Sequence, residues 1–422
     1  MSHKHSMIVL YLIVVGMVAG LGAGWFFGED VLVIKWMGTL FLNALKMTIV
    51  PLILAAVISG VASLGDIRKL GRPGGLTMLY YLSTTVIAII IGLVLVNLIQ
   101  PGVGVEMSAE ALRAGQAKAE SNGGMTFSDI LLSLISPNLV KSAVDLQLLP
   151  LVFFAVIFGA AVTTVGAAGG KVIDFFEGLN DAMMKIVGWI MYFAPIGVFA
   201  LVASSLGEAG GGEAFLATIL GIGKYVATVL IALAVHSVVL FLIMMTMSGR
   251  GIGFVKDMAR ALLTAFGTAS SSATLPLTME CAHEHGLSER AVRFVLPLGS
   301  TVNMNGTALY EAIAAMFIAQ MYGIELGIGA QVLIVVTATL AAIGAAGIPQ
   351  AVTMLIVLGA VGLPAEGIGI LLSVDWFLDR FRTTVNVWGD SVGAAVMNKY
   401  MASPEEVALE EALEPHEASA SE

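Results

Sequence analysis

Apolar residues run in long blocks along this chain, and polar residues sit mostly in the gaps between them. Six blocks cover about residues 7–27, 33–64, 75–100, 126–165, 171–205 and 213–248. A spanning helix needs about 20 mostly apolar residues, so the pattern predicts a series of membrane helices. The alternating ten-residue segments of a membrane barrel do not stand out. Polar residues, Pro137 and Pro150 interrupt the fourth block, which predicts a helix broken into pieces.

Beyond residue 250 the pattern changes. Residues 253–283, GFVKDMARALLTAFGTASSSATLPLTMECAH, hold two apolar halves around a Ser-rich break, each too short to span. Residues 327–364 repeat the plan around GAAGIPQA. Two kinked helices would fit, as would two re-entrant hairpins in an inverted repeat. The paired breaks favour hairpins, because half-helix ends and unwound backbone can ligate a solute there. Irregular backbone survives at membrane depth only when buried or lining a cavity.

Composition supports the membrane reading. The 422 residues are 58% hydrophobic and 12% charged, against about 25% charged in soluble proteins. Much of the net charge of -10 lies in the tail SPEEVALEEALEPHEASASE, which reads as a solvated end. The single cysteine, Cys281, allows no internal disulfide. MSHKHS leads into the first block with no A-x-A cleavage site, so that block reads as a retained helix. Arg68, Lys69 and Arg72 follow the second block, and Arg250, Lys256 and Arg260 follow the sixth. Cationic loops mark the cytoplasmic side, which puts the N-terminus inside and the polar 101–125 loop outside.

The segment DWFLDRFRTTVNVWGD, residues 375–390, opposes the apolar trend. On a helix, Asp375, Asp379, Arg382, Asn386 and Asp390 share one face. A charge at the bilayer centre costs about 2.5–3.5 kcal/mol on the insertion scale, so this face must meet a polar cavity or other charges. A locking ion-pair network would account for Asp375 and Arg380, but less well for Thr383, Thr384 and Asn386. As a site, the face suits an acidic amino acid. Arg382 is a fork for one carboxylate, Asp379 suits an ammonium, and amide and hydroxyl groups can hold a second carboxylate. Asp390 can ligate a hard cation with neutral oxygens. The partner segment is TVNMNGTALYEAIAAMFIAQ, residues 301–320. NMNG should unwind a helix locally and free carbonyls for a cation. Burial favours the neutral form of Glu311, which makes it a candidate proton carrier or a permanently neutral hydrogen-bonded group.

These residues resemble the dicarboxylate/amino acid:cation symporters, the family of the excitatory amino-acid transporters and their prokaryotic glutamate and aspartate homologues. FLNALKMTIVPLI, YFAPIGVFALVA, TASSSATLP, NMNGTALYEA, GAAGIPQA and DWFLDRFRTTVNVWGD carry the resemblance. It implies an all-α polytopic membrane protein with eight membrane helices and two re-entrant hairpins in inverted repeats. It also implies a homotrimer in the cell's inner (plasma) membrane, with both termini cytoplasmic and a mobile elevator domain on a rigid scaffold. Residues 1–74 would form the first two scaffold helices. Residues 75–125 would hold a transport helix and the outer loop, and 126–212 the scaffold and trimer helices. Residues 213–401 would be the transport core, followed by an acidic tail over 402–422.

By the same resemblance, Arg382 and Thr307 match ligands of the substrate side chain, and Asp379 and Thr383 match ligands of its amino group. Asn386 and Ser271 match the α-carboxylate ligands, joined by hairpin carbonyls near Ala269 and Ile348. Asp390, Asn303, Asn386 and the Gly299 carbonyl match one Na+ site. Tyr81, Thr84, Thr85, Asn303 and Asn305 match another. Arg380 sits where animal members carry an Arg, and Ala269 where archaeal homologues carry the hairpin Arg. Glu311 matches a proton-carrying Glu. Two departures stand out. The usual NMDGT reads NMNGT here, so Asn305 replaces a carboxylate and weakens its Na+ site. The usual PQAGLVTM reads PQAVTM, which should reshape the outer gate and the backbone cation site there.

The expected activity is therefore uptake of glutamate or aspartate with Na+, H+ or both, and with fewer Na+ than sodium-only relatives use. Asp379 argues against C4-dicarboxylate uptake, and an unpaired Arg382 against neutral amino acids. An anion-conducting channel lined by the charged face remains an alternative. A hydrolase using Ser270, Ser271 or Ser272 lacks a base: of the six His, only His236 falls within a span. No organic cofactor and no nucleic-acid partner are expected.

Overall fold

The long apolar blocks fold as helices. The computed structural model describes residues 3–62, 71–105, 132, 134–145, 147–208, 213–343 and 350–401, and every regular element among them is helical. The first blocks form α1 (His3–Phe27), a 3-10 turn (Gly28–Ile34), α2 (Lys35–Ala62) and α3 (Gly71–Ile99). The fourth block yields α4 (Leu139–Val144) and α5 (Leu148–Val162). Its break lies between them rather than at Pro150. That proline is the third residue of α5, where its missing N–H costs no helix bond. The fifth block gives α6 (Ala167–Met191) and α7 (Ala194–Glu208), bent by 57°. Pro195 accounts for the bend, because its ring clashes with a continuing turn and cannot donate to it. The sixth block is α8 (Glu213–Ser248).

The interrupted segments follow. The first forms α9 (Ile252–Thr268) and α10 (Ser271–Glu284), then α11 (Glu289–Val302) and α12 (Asn305–Met321). The second forms α13 (Ile328–Ile343) and α14 (Gln350–Ala360), then α15 (Ile368–Met401). Helices α9 and α10 run antiparallel, side by side. His285 Nδ1 lies 2.6 Å from Asp257 Oδ2, and Arg260 pairs with Glu284 and Glu280. The first interrupted segment is therefore a hairpin, not a kinked span. Helices α13 and α14 also pack on each other. Their connecting GAAGIP tip lies outside the described residues, as do most of the polar loop and the start of the fourth block (106–131), Arg68, Lys69 and the acidic tail.

The stretches Tyr11–Ala62, Pro73–Ile99 and Leu220–Ser248 are long and apolar enough to cross a membrane, and the bent α6–α7 pair makes another. The chain is a helical membrane protein. Its helices pack in two sets. In one, α1 lies along α7, while α2 packs on α5, α6 and α7. In the other, α3 and α8 surround α11, α12 and α15. Helix α12 is buried on nearly every side, as expected for a helix apolar all round. The two sets meet where α15 touches α7 and where α14 touches α2 and α5.

Small residues set the α1–α7 contact. A Cβ on Gly16 would sit 2.4 Å from Pro195 O, and one on Gly20 would sit 2.7 Å from Phe199 O. This small-xxx-small spacing lets two backbones approach in lipid, where hydrophobic drive between helices is lacking. Gly22, by contrast, has nothing within 4 Å of its would-be Cβ. Gly20→Leu should cost about 1–3 kcal/mol of stability, read as a lower melting temperature of detergent-purified protein. Gly22→Leu should leave it unchanged.

Candidate functional site

Two local choices of sequence build the site. Helix α15 runs unbroken through its five polar residues, so Asp375, Asp379, Arg382, Asn386 and Asp390 form one face. Opposite it, the chain unwinds between α11 and α12 at Asn303 and Met304, whose ψ angles of 68° and 56° leave the helical range. Gly306 then lets α12 start directly against α15. A Cβ there would lie 2.6 Å from Arg382 O. Asn386 locks the junction: its Oδ1 accepts from Gly306 N at 2.8 Å, and its Nδ2 donates to Thr307 Oγ1 at 3.3 Å.

Arg382 is the largest fully buried side chain, only 1% exposed. It is neutralised on two sides. Its guanidinium donates to Asp379 Oδ1 at 2.8 Å, and NH1 lies 3.1 Å from Asp375 Oδ1. The Tyr310 ring covers a face, with Cζ 4.2 Å from the centroid, a cation–π contact. Tyr225 meets the Tyr310 ring edge-on at 6.0 Å. The two carboxylates differ in exposure. The Asp375 side chain is 18% exposed and that of Asp379 is 41%. Asp379 therefore reaches toward solvent while still bonding the buried cation.

One to two turns further along α15, oxygens collect. Asn303 Nδ2 donates to Asp390 Oδ1 at 2.9 Å. Asp390 is 3% exposed, and an amide does not balance a buried carboxylate. Gly299 brings α11 close: a Cβ there would lie 2.5 Å from Asp390 Oδ1 and 2.6 Å from Tyr81 Oη. Tyr81 donates to Val295 O at 2.9 Å, and Thr84 donates to carbonyls of its own helix. Thr85 Oγ1 donates to Asn305 Oδ1 at 2.7 Å. Asn303 Oδ1 and Asn305 Nδ2 are buried with no hydrogen-bond partner. The cluster thus holds one carboxylate amid neutral oxygens, a donor set suited to a hard cation.

The hairpins close on this face. Helix α9 ends at Ala269, which adopts the left-handed conformation (φ 49°, ψ 39°), and Ser270 caps α10 by accepting from Ala273 N at 3.2 Å. Arg380 donates to Phe266 O at 3.0 Å and Gly267 O at 2.9 Å, satisfying carbonyls that a helix end leaves free. Arg380 thus ties hairpin to helix, and the ion pair with Asp375 belongs to Arg382. From the second hairpin, Gln350 Nε2 donates to Glu311 Oε1 at 3.2 Å. Glu311 is fully buried, and its Oε2 has no hydrogen-bond partner.

Most of the expected site residues are therefore brought together. Arg382 pairs with Asp379 and Asn386 with Thr307 on neighbouring turns of the same face, while Asp390, Asn303, Gly299, Tyr81, Thr85 and Asn305 gather further along it. Thr383 and Ser271 are buried, and Ile348 lies outside the described residues. Sequence reasoning gave Arg382 and Asp379 opposite ends of a ligand, whereas here they are bonded to each other. It passed over Tyr310 and Gln350. Tyr310 lies three residues from Thr307, one turn along the same face, which was the available signal.

Comparison with known proteins shows what the chain as a whole is similar to. A family profile described as "Sodium:dicarboxylate symporter family" matches residues 9–400. "Excitatory amino acid transporter 3" of Homo sapiens is 40% identical over 415 residues, covering 86% of this chain and 78% of its own. "Putative sodium-dependent excitatory amino acid transporter glt-4" of Caenorhabditis elegans is 37% identical over 455 residues, covering 94% and 90%. "Excitatory amino acid transporter 4" of Mus musculus is 38% identical, covering 89% and 78%.

The Arg380 contact generates a prediction. Arg380→Gln should leave the Phe266 and Gly267 carbonyls without their charged donor. Charge-assisted bonds are worth about 1.5–3 kcal/mol, so amide hydrogen exchange at residues 266–274 should accelerate at least about tenfold. Exchange across α12 should stay unchanged, and unaltered exchange at the hairpin end would contradict the tie.

Proposed function

This chain belongs to the sodium:dicarboxylate symporter family, and on that footing we propose that it takes up glutamate or aspartate coupled to Na+, H+ or both. The observation that carries the reading is the Arg382–Asp379 pair, buried at one end and solvent-reaching at the other. An acidic amino acid exchanges that internal pair for two external ones. Its side-chain carboxylate takes the Arg382 fork, and its ammonium takes Asp379. The exchange conserves charge pairing only if the ligand carries both groups. Succinate would free Asp379 without repaying it, and a neutral amino acid would leave Arg382 short of a partner. Asn386, Thr383, Ser271 and Thr307 then surround the remaining α-carboxylate and side chain, with hairpin carbonyls near Ala269 and Ile348.

Asp390, Asn303, Asn386 and the Gly299 carbonyl form the cation site we favour. The Tyr81, Thr84, Thr85 and Asn305 group is the weaker one, because Asn305 brings an amide where a carboxylate would balance an ion. Glu311, bonded to Gln350 of the second hairpin, is the candidate proton carrier. Proton binding there would report to the gate directly. We assign α1, α2 and α4–α7 to a scaffold that assembles as a homotrimer. Helices α3 and α8–α15 form the body that moves as an elevator, supported by the sparse contact between the two sets. Eight spans, two hairpins, a plasma-membrane location and cytoplasmic termini complete the proposal.

Uptake of radiolabelled aspartate and glutamate into proteoliposomes tests it, with Na+ and pH gradients imposed separately. Breaking a buried ion pair costs about 3–5 kcal/mol, so Arg382→Ala should lower acidic-substrate uptake at least about 100-fold. Retained uptake, or succinate competing as well as aspartate, would remove the assignment. Asn305→Asp should steepen the Na+ dependence, and Glu311→Gln should flatten the pH dependence. Uptake driven fully by Na+ with no pH effect would sink the proton role.

A further inference from the structure

A cavity of about 330 Å³ lies on the far side of α15 from the charged face, between α8, α9 and α15. Val238 and Phe241 of α8, Ile252 and Leu262 of α9, and Val385 and Trp388 of α15 line it. Thr384, which sequence reasoning grouped with the polar face, points here instead. Its hydroxyl donates to Arg380 O at 2.8 Å, and that of Ser237 donates to Leu233 O at 2.8 Å. Trp388 Nε1 donates to Ser237 O at 3.2 Å. The few polar groups in the wall are thus bonded within the protein, and the cavity offers nothing to water or a polar solute.

Its position and length point to hydrocarbon. Val238 is 57% exposed and Ile252 61%, so the cavity opens on the apolar outer surface of a membrane protein. From Ile252 to Leu262 the α9 wall rises roughly 15 Å, about half the ~30 Å hydrocarbon core. That is the depth of one leaflet. The mouth is cationic. Arg250 lies two residues before Ile252, and exposed Lys256 lies one turn after it on the same side of α9. The neighbouring acids already have basic partners: Asp257 pairs with His285, and Glu280 and Glu284 pair with Arg260.

We propose that this groove holds one acyl chain of an anionic phospholipid from the leaflet on the Arg250 side, with its headgroup phosphate at Lys256. The chain wedges between the first arm of the first hairpin and the helices α8 and α15. The inference rests on the membrane setting alone, not on the identity of the transported solute.

Native mass spectrometry tests it, on full-length protein extracted from vesicles of mixed phosphatidylcholine and phosphatidylglycerol. The wild type should retain phosphatidylglycerol in preference to phosphatidylcholine. Val238→Trp should fill the groove and lose most of the retained lipid. Lys256→Gln alters only an exposed side chain. It should keep a lipid but lower the phosphatidylglycerol preference by about fivefold, the worth of one cation near an anionic headgroup. Equal retention by Val238→Trp would overturn the proposal. So would an unchanged headgroup preference in Lys256→Gln, equal retention of both lipids by the wild type, or a second protein chain seated in the groove. Melting temperatures of both variants, expected within a few degrees of wild type, separate lost binding from lost folding.

Discussion

An arginine buried in a membrane protein must be neutralised where it stands, and Arg382 imposes that requirement on everything around it. Leaving such a cation bare in hydrocarbon costs several kcal/mol at least. Two carboxylates and an aromatic face meet the demand here, at 2.8 Å, 3.1 Å and 4.2 Å. Asp375 and Asp379 come from the turns just before Arg382 on α15, while Tyr310 comes from α12. The aromatic face can therefore cover the charge only if α12 lies directly on α15. That contact in turn requires Gly306 at the start of α12 and the unwound Asn303–Met304 step before it.

The same constraint separates two electrostatic tasks along one helix face. Around Arg382 a cation is shared between two acids, the arrangement in which the proposed ligand would trade partners. Around Asp390 a buried acid meets the Asn303 amide, with Gly299 and Tyr81 close by, the arrangement in which the proposed ion would supply the missing charge. Asn386 sits between the two tasks and bonds Gly306 N and Thr307 Oγ1. A change in either half is felt through one amide. The hairpins make polar contacts of their own with these two helices, the first with Arg380 of α15 and the second with Glu311 of α12. Hairpin position and the packing of α12 and α15 are therefore mechanically joined.

Much of this was legible in the chain. Helical periodicity alone put Asp375, Asp379, Arg382, Asn386 and Asp390 on one face, and NMNG announced the break before α12. The first hairpin was visible as two short apolar halves around serines. What periodicity could not convey was partnership. Arg380 and Arg382 are two residues apart and look equivalent as charges, yet one bonds helix-end carbonyls and the other carboxylates. That depends on which neighbour each side chain meets in space. Pro150 misled because a proline's effect depends on its place in a helix. In a first turn it is harmless. The bend before α7 was hidden in an unbroken apolar block, and only Pro195 marked it.

Four glycines line the contact between α11, α12, α3 and α15. Would-be Cβ atoms on Gly299, Gly306, Gly389 and Gly393 meet Asp390, Arg382, Asn303 and Tyr81 at 2.5–2.9 Å. Around Asp390, Asn303 and Tyr81 these glycines leave no room for a side chain, so the dimensions of that polar cluster are fixed by the absence of atoms. Diversification of such a protein is channelled. Asp379, whose side chain is 41% exposed, has room to vary. Drift in ion preference has almost no steric latitude and must proceed by isosteric exchange of polar groups. A carboxamide of nearly the size of a carboxylate, at Asn305, is the kind of step that this geometry leaves open.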